Sequence, residues 1–299
     1  MNLSEFVDFY QDYLNQFVFN AVEGVRSFRD ELSSPEFWEL AKADSDPIIP
    51  TPVYEVRSRV KTVHSVWDKV LSSRDLSDLG GKPEVAHDLL HSISDILGAR
   101  VIMYLASSYP LIHDAIKRSK VVRIDPERKP KCYLPQVTVN RLGLDATEFS
   151  LQETKPSGYG SIHYFLKFQD PELTLLPRFE LQVRTILMEA WGEIEHEVNY
   201  KTTVDNEPTT TKHLRVIADM LRAADDSFDI VYDRTRYLRQ QAAAAPLVDT
   251  DGIDDAKLAR VLATYEIPLS ESEVAKIRVI LSIRGIGTVG ALRERATRQ

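Results

Sequence analysis

Apolar side chains recur at helical spacing from the start of the chain, at Phe6, Phe9, Tyr10, Leu14 and Phe17. Residues 1–45 are therefore expected to form one or two amphipathic helices ahead of the segment PIIPTP, where Pro47, Pro50 and Pro52 punctuate the chain. Val56, Val60, Val63, Trp67 and Val70 then step by three and four, a helical face, while the β-branched start from Tyr54 to Val60 predicts a short strand leading into it. After the Gly80-Gly81 break, SISDILGARVIMYL ends in an apolar run of strand length, and SYPLIHDAIKRS reads as a helix. Residues 161–168, SIHYFLKF, and 178–185, RFELQVRT, are two further strands separated by the turn residues Asp170, Pro171 and Pro177. In the second of these, Phe179, Leu181 and Val183 alternate with Glu180, Gln182 and Arg184. A period of two sends the apolar set to one face and the hydrogen-bonding set to the other, so this strand borders either solvent or a site.

Helical stretches are expected at about 186–201 and 209–244, the latter running into QQAAAAP before a boundary at Pro246. Beyond a DTDG hinge come two more helical segments, with IRGIGTVGALRE near the end. That last run has a faint look of a helix-hairpin-helix turn, but one glycine triplet is weak evidence for it, and a small helical tail packed on the core or on another subunit is expected. Helices around a mixed sheet predict an α+β fold with helical additions at both ends. The expected divisions are an N-terminal helical segment over 1–48, a main domain over 49–245 and a small C-terminal helical extension over 246–299.

A chain of 299 residues, 43% of them hydrophobic, can bury a large core, so disorder of the whole chain is excluded. The first twenty residues mix acids into the apolar positions and carry no basic start, so neither a signal peptide nor a membrane span is expected, and a cytoplasmic location follows. Cys132 is the one cysteine, which excludes an internal disulfide and a multi-cysteine zinc site. A net charge of −8 argues against a general nucleic-acid-binding surface, although basic residues cluster locally at Arg57, Arg59 and Lys61, at Lys117, Arg118 and Lys120, and at Arg123, Arg128, Lys129 and Lys131.

Candidate chemistry changes this picture. Asp95 stands just before the buried-type run, where a lone acid can be a turn or cap residue. With Glu180 on a polar strand face, two carboxylates from separated segments could converge on one hard cation such as Mg²⁺, whose remaining positions phosphates and water fill. Arg59, Lys61 and Lys69 fall on or beside one predicted helix; they are ordinary solvated charges singly, and a triphosphate lining as a set. In KPSGYGSIHYFLKF, Lys155, Tyr159 and His163 surround Gly158 directly ahead of a strand. An aromatic ring at such a turn offers a face for a base; the alternative is that Tyr159 caps the core and His163 bonds to backbone.

These stretches, SISDILGARVIMYL, KPSGYGSIHYFLKF and FELQVRTILMEAWGEIEHEVNYK, resemble the synthetase domain of the RelA/SpoT family over about residues 50–240, with RSRVKTVHSVWDKV resembling its basic ATP-site motif. The resemblance, which includes similarity to the small alarmone synthetases, implies a nucleotidyltransferase-like mixed sheet and a (p)ppGpp synthetase that moves pyrophosphate from ATP to the 3′-hydroxyl of GDP or GTP. It implies Asp95 and Glu180 as catalytic acids and Mg²⁺ ligands, Arg59, Lys61, Lys69 and Arg100 on the ATP side, and Lys155, Tyr159, His163, Gln182 and Arg184 on the acceptor side. His87-Asp88 and His113-Asp114 are isolated pairs, so the family's hydrolase activity is not expected. In the helix after the strand, Glu193, Glu195, His196, Tyr200 and Lys201 read as packing and pairing support beneath the site.

Two departures matter. Ser157 and Gly160 flank the Gly-Tyr pair where many members carry Asn before it and Arg or Gln after it, which removes contacts to the acceptor. About thirty residues between Val121 and Gln152 exceed the short connection expected there, and could form a lid, a self-inhibitory plug or a docking surface. The alternatives are accordingly an enzyme that pyrophosphorylates the tRNA 3′ end or makes adenine alarmones, and a catalytically silent regulatory protein. ATP and GDP or GTP are the expected small-molecule partners, with a homo-oligomer possible.

Overall fold

In the computed structural model, which describes residues 3–39, 51–73, 83–170, 173, 176, 178–201, 208–244, 256, 258–260, 270–274, 276 and 277, the alternation in FELQVRT is realised as the middle of a mixed seven-stranded sheet. Three helices come first, α1 (Leu3–Tyr13), α2 (Phe19–Ser33) and α3 (Pro35–Glu39), with a π-helical turn at Leu14–Val18 between the first two. Strand β1 (Val53–Val60) leads into α4 (Val63–Ser73), then α5 (Pro83–Ser92), β2 (Leu97–Met103) and α6 (Tyr109–Arg118). After β3 (Val122–Ile124), β4 (Lys131–Cys132), α7 (Gln136–Arg141) and β5 (Ser150–Leu151) come β6 (Ile162–Phe168), β7 (Phe179–Thr185), α8 (Ile186–Lys201) and α9 (Pro208–Ala244). The chain forms two compact units, Met1–Arg234 and Thr235–Gln299; the first carries the sheet. The Gly80-Gly81 break, the DTDG hinge and the IRGIGTVGALRE run lie outside the described residues.

Strand order is β1-β2-β7-β6-β4-β5, with β3 also paired to β6. β2 runs parallel to β7 and antiparallel to β1, while β6 is antiparallel to β7. Cross-strand partners project from the same face, so the register decides what meets. Arg57 pairs with Arg100 and Arg59 with Gly98; Gly98 pairs with Glu180 and Arg100 with Gln182; Glu180 faces Phe165, Gln182 faces His163, and His163 faces Lys131. One face is thus a polar floor. The other, with Ala99, Val101, Leu181, Val183, Ile162, Tyr164 and Cys132, is buried in a core shared with Phe6, Tyr10, Val25 and Phe28 of the leading helices and Ile112 and Ile116 of α6.

Residues 122–151 join the sheet. Asp125 N–H donates to Phe165 O at 2.8 Å, Tyr133 N–H to Ser161 O at 2.9 Å and Ser150 N–H to Pro130 O at 2.8 Å, so the stretch builds the far sheet edge and not a lid over the polar floor. His113 is buried and bonded to Tyr164 Oη at 3.2 Å and to Glu148, a packing role. Among the described residues no helix is long and apolar enough to cross a membrane.

Candidate active site

Asp95 lies in the turn that enters β2, three residues before Gly98, the register partner of Glu180. Lys61 directly follows β1, and Lys69 stands two turns further on in α4. Lys61 Nζ donates to Asp95 Oδ2 at 2.5 Å and Lys69 Nζ to Oδ1 at 2.8 Å, so both carboxylate oxygens are engaged. Burial works to raise the Asp95 carboxyl, but the hydrogen bonds and charges of Lys61 and Lys69 outweigh it and hold the group below the usual carboxylate range. Arg59 is exposed beside them, its stem passing over Gly98. Arg100 is turned inward and donates to Glu189 at 2.9 Å and to Glu193.

On β7, the strand next to β2, Glu180 is tied to the glycine-containing turn. His163 Nδ1 lies 3.2 Å from Glu180 Oε1, and Nε2 lies 2.6 Å from Tyr159 Oη. The pattern is satisfied when Nδ1–H donates to Glu180 and the Tyr159 hydroxyl donates to Nε2, a tautomer assigned from the network. Gln182 Nε2 donates to Glu180 Oε1 at 2.9 Å. Burial again works to raise the carboxyl, the His163 bond and charge and the Gln182 bond prevail, and Glu180 is held below its usual range. The Asp95 charge acts on Glu180 in the raising direction, which puts the two carboxylates within electrostatic reach of one another.

Gly158 has a φ of +87°, a region open to glycine, and a Cβ there would stand 2.6 Å from the Ala218 Cβ of α9. Arg222 Nη1 of α9 donates to Gly158 O at 2.7 Å. The turn so fixed puts Tyr159 in a second cluster with Met188, Trp191, Leu214 and Ala218. Lys155 Nζ sits 4.4 Å from the Tyr159 ring centroid, and the Arg184 guanidinium 5.8 Å from it. The sequence reading of Arg184 as an acceptor contact meets a buried side chain, 3% exposed, bonded to Gln182 and paired with Glu189.

Glu189 escaped the sequence reading. In the first turn of α8 it draws in three cations: Arg100 Nη1 at 2.9 Å, Arg184 Nε at 3.1 Å and Arg57 Nη1 at 3.6 Å. Gly192, one turn on, makes room, since a Cβ there would lie 2.4 Å from Arg184 Nη1. The available signal was an acid inside the apolar run ILMEAW, five positions after an arginine of the polar strand face.

No cluster of three or more His, Cys, Asp or Glu side chains suited to a metal occurs among the described residues. Two ionised, partly exposed carboxylates, with side chains 22% and 16% exposed, are still an oxygen donor set of the kind Mg²⁺ takes when substrate phosphates complete its shell. Asp95 and Glu180 therefore fit such an ion, provided Lys61 and Lys69 turn toward the phosphates.

Residues 58–205 match the family model described as the region found in RelA/SpoT proteins. A curated relative, GTP pyrophosphokinase YwaC of Bacillus subtilis (strain 168), is 26% identical over 178 residues, which cover 58% of this chain and 71% of the relative. The crystal structure of small alarmone synthetase 1 from Bacillus subtilis bound to its product pppGpp shares the fold at a TM-score of 0.52 and 18% identity, covering 76% of this chain and 98% of that one. A GTP pyrophosphokinase family protein from Streptococcus pneumoniae does so at a TM-score of 0.51 and 20% identity, covering 77% and 95%.

Proposed function

The chain belongs to the RelA/SpoT family of pyrophosphokinases, and from that premise we propose that it transfers pyrophosphate from ATP to the 3′-hydroxyl of GDP or GTP, making (p)ppGpp. One observation carries the reading: the Lys61–Asp95–Lys69 group stands at the entry to β2, and the Glu180–His163–Tyr159 chain starts on the neighbouring strand at the register partner of Gly98. Lys61, Lys69 and Arg59 take the ATP phosphates, with Arg100 beside them. Tyr159 stacks on the acceptor purine once Lys155 leaves its ring for the acceptor phosphates, and His163, Gln182 and Arg184 keep Glu180 and the ring in place. The 3′-oxygen attacks the β-phosphorus in line, the bond from that phosphorus to the α,β-bridging oxygen breaks, AMP leaves, and the hydroxyl proton passes to the ionised Glu180. Asp95 and Glu180 would hold Mg²⁺, which when bound offsets charge on the transferring group.

The test is label transfer from ATP to GDP, GTP, ATP or tRNA, each offered separately to the purified protein. Label on GDP or GTP is expected, and Asp95→Asn should lower transfer by about a hundredfold or more. Transfer only to tRNA or to adenine nucleotides would overturn the acceptor assignment; an Asp95→Asn protein with full activity and unchanged unfolding temperature would overturn the metal-ligand assignment.

A further inference from the structure

The first helix reaches the ATP side of the site through one hydroxyl. Tyr10 Oη donates to the backbone carbonyl of Lys61 at 2.7 Å, across 51 residues of sequence. Lys61 is thereby held at three points: its carbonyl by Tyr10, its N–H by Ile96 O at 2.8 Å, and its Nζ by Asp95 Oδ2 at 2.5 Å. Ile96 directly follows Asp95, so two of these contacts close a tight ring between the end of β1 and the entry to β2, and the third fastens that ring to α1. The same helix also grips α4. The Phe6 ring lies 4.9 Å from that of Trp67, two positions before Lys69, and stacks on Tyr10 at 6.1 Å.

Packing alone does not call for an oxygen at this place. Tyr10 is 2% exposed among apolar neighbours, and a phenylalanine would fill the same volume without the cost of burying a hydroxyl. The oxygen has one recorded acceptor, and that acceptor belongs to the residue that holds Asp95.

We propose that Tyr10 is a positioning residue for pyrophosphate transfer: its hydroxyl fixes the Lys61 backbone at the β1–α4 junction so that Nζ stays on the Asp95 side of the site, which makes the N-terminal helix part of the ATP-binding machinery. The inference rests on the reading of Asp95, Lys61 and Lys69 as the ATP-phosphate site. Tyr13 supplies an internal control. It sits one turn further along α1, is equally buried, and its hydroxyl meets His91 Nδ1 at 3.2 Å.

The experiment compares wild type, Tyr10→Phe and Tyr13→Phe by three measurements: calorimetric binding of a non-hydrolysable ATP analogue with Mg²⁺, steady-state transfer from ATP to the acceptor found above, and thermal unfolding. Loss of one positioning hydrogen bond should lower kcat of Tyr10→Phe by about five- to tenfold, with a smaller change in analogue affinity. Tyr13→Phe should keep wild-type kcat while its unfolding temperature falls as far as that of Tyr10→Phe. Wild type that fails to bind the analogue overturns the site reading and this inference with it. Wild type that binds, alongside a Tyr10→Phe protein with unchanged turnover or two variants whose turnover falls together, overturns the inference alone.

Discussion

Removing the charge of Glu189 tests how the polar floor is held together. Glu189→Gln keeps the volume but leaves Arg184, whose side chain is 4% exposed, and Arg100, at 22%, without the carboxylate they share. Breaking a buried ion pair from one side costs about 3–5 kcal/mol, because an uncompensated charge stays in a poorly solvated place. Here a value at or just below that range applies, since Arg100 keeps Glu193, Arg184 keeps Gln182, and Arg57 is half exposed and adds little. A loss of about 2–3 kcal/mol in a unit of this size lowers the unfolding temperature by roughly 5–10 °C, readable by scanning calorimetry. The unpaired guanidinium groups also become better anion sites, so inorganic tripolyphosphate should restore part of the lost temperature in the variant and raise that of wild type less. An unfolding temperature within about 2 °C of wild type, with equal tripolyphosphate response in both proteins, would refute the view that Glu189 is the common anchor of these arginines.

Two further substitutions probe the surroundings. Gly158→Ala places a Cβ at positive φ and 2.6 Å from Ala218, so it should destabilise by more than about 1 kcal/mol and raise the KM for the acceptor before that for ATP; denaturant unfolding and separate substrate titrations measure both. Asp225 on α9 has its carboxyl pushed up to about 6, first by burial and then by Asp229 and Asp226, against the Thr185 hydrogen bond and Arg141. A carboxyl raised on folding binds its proton more tightly in the folded state, so its contribution is full below the ordinary carboxylate range and is lost as pH rises through about 6. Asp225→Asn should therefore unfold at a higher temperature than wild type at pH 7.5, and the gap should close by about pH 4; a gap that persists unchanged would contradict the assignment.

Much of this was legible in the sequence where apolar runs are long. β2, β6, β7, α8 and α9 fall within a residue or two of the expected spans, since each carries enough turns or alternations for its period to be counted. β3, β4 and β5 are two or three residues long and show no period, so the stretch between Val121 and Gln152 stood out only as an overlong connection although it completes the sheet edge. Among candidate site residues, Asp95 drew notice as an acid just ahead of a buried-type run and Glu180 as an acid on the polar face of an alternating strand. Arg184 was placed on the correct strand face, but its burial depends on Glu189, and an acid five positions further on in a different element leaves no periodic trace. The Tyr10 hydroxyl bond is invisible for the same reason, since nothing in the FVDFYQDY run separates a tyrosine that packs from one that also holds a distant carbonyl.

The double attachment of the turn at Gly158 to α9, through the Arg222 hydrogen bond and a close approach that leaves no room for a Cβ against Ala218, has a dynamic consequence. Residues 156–160 are expected to open only together with that helix. Their amide protons and those of 214–222 should exchange with solvent at matching free energies, as one cooperative segment, and the ring of Tyr159 should become accessible only on that same slow clock.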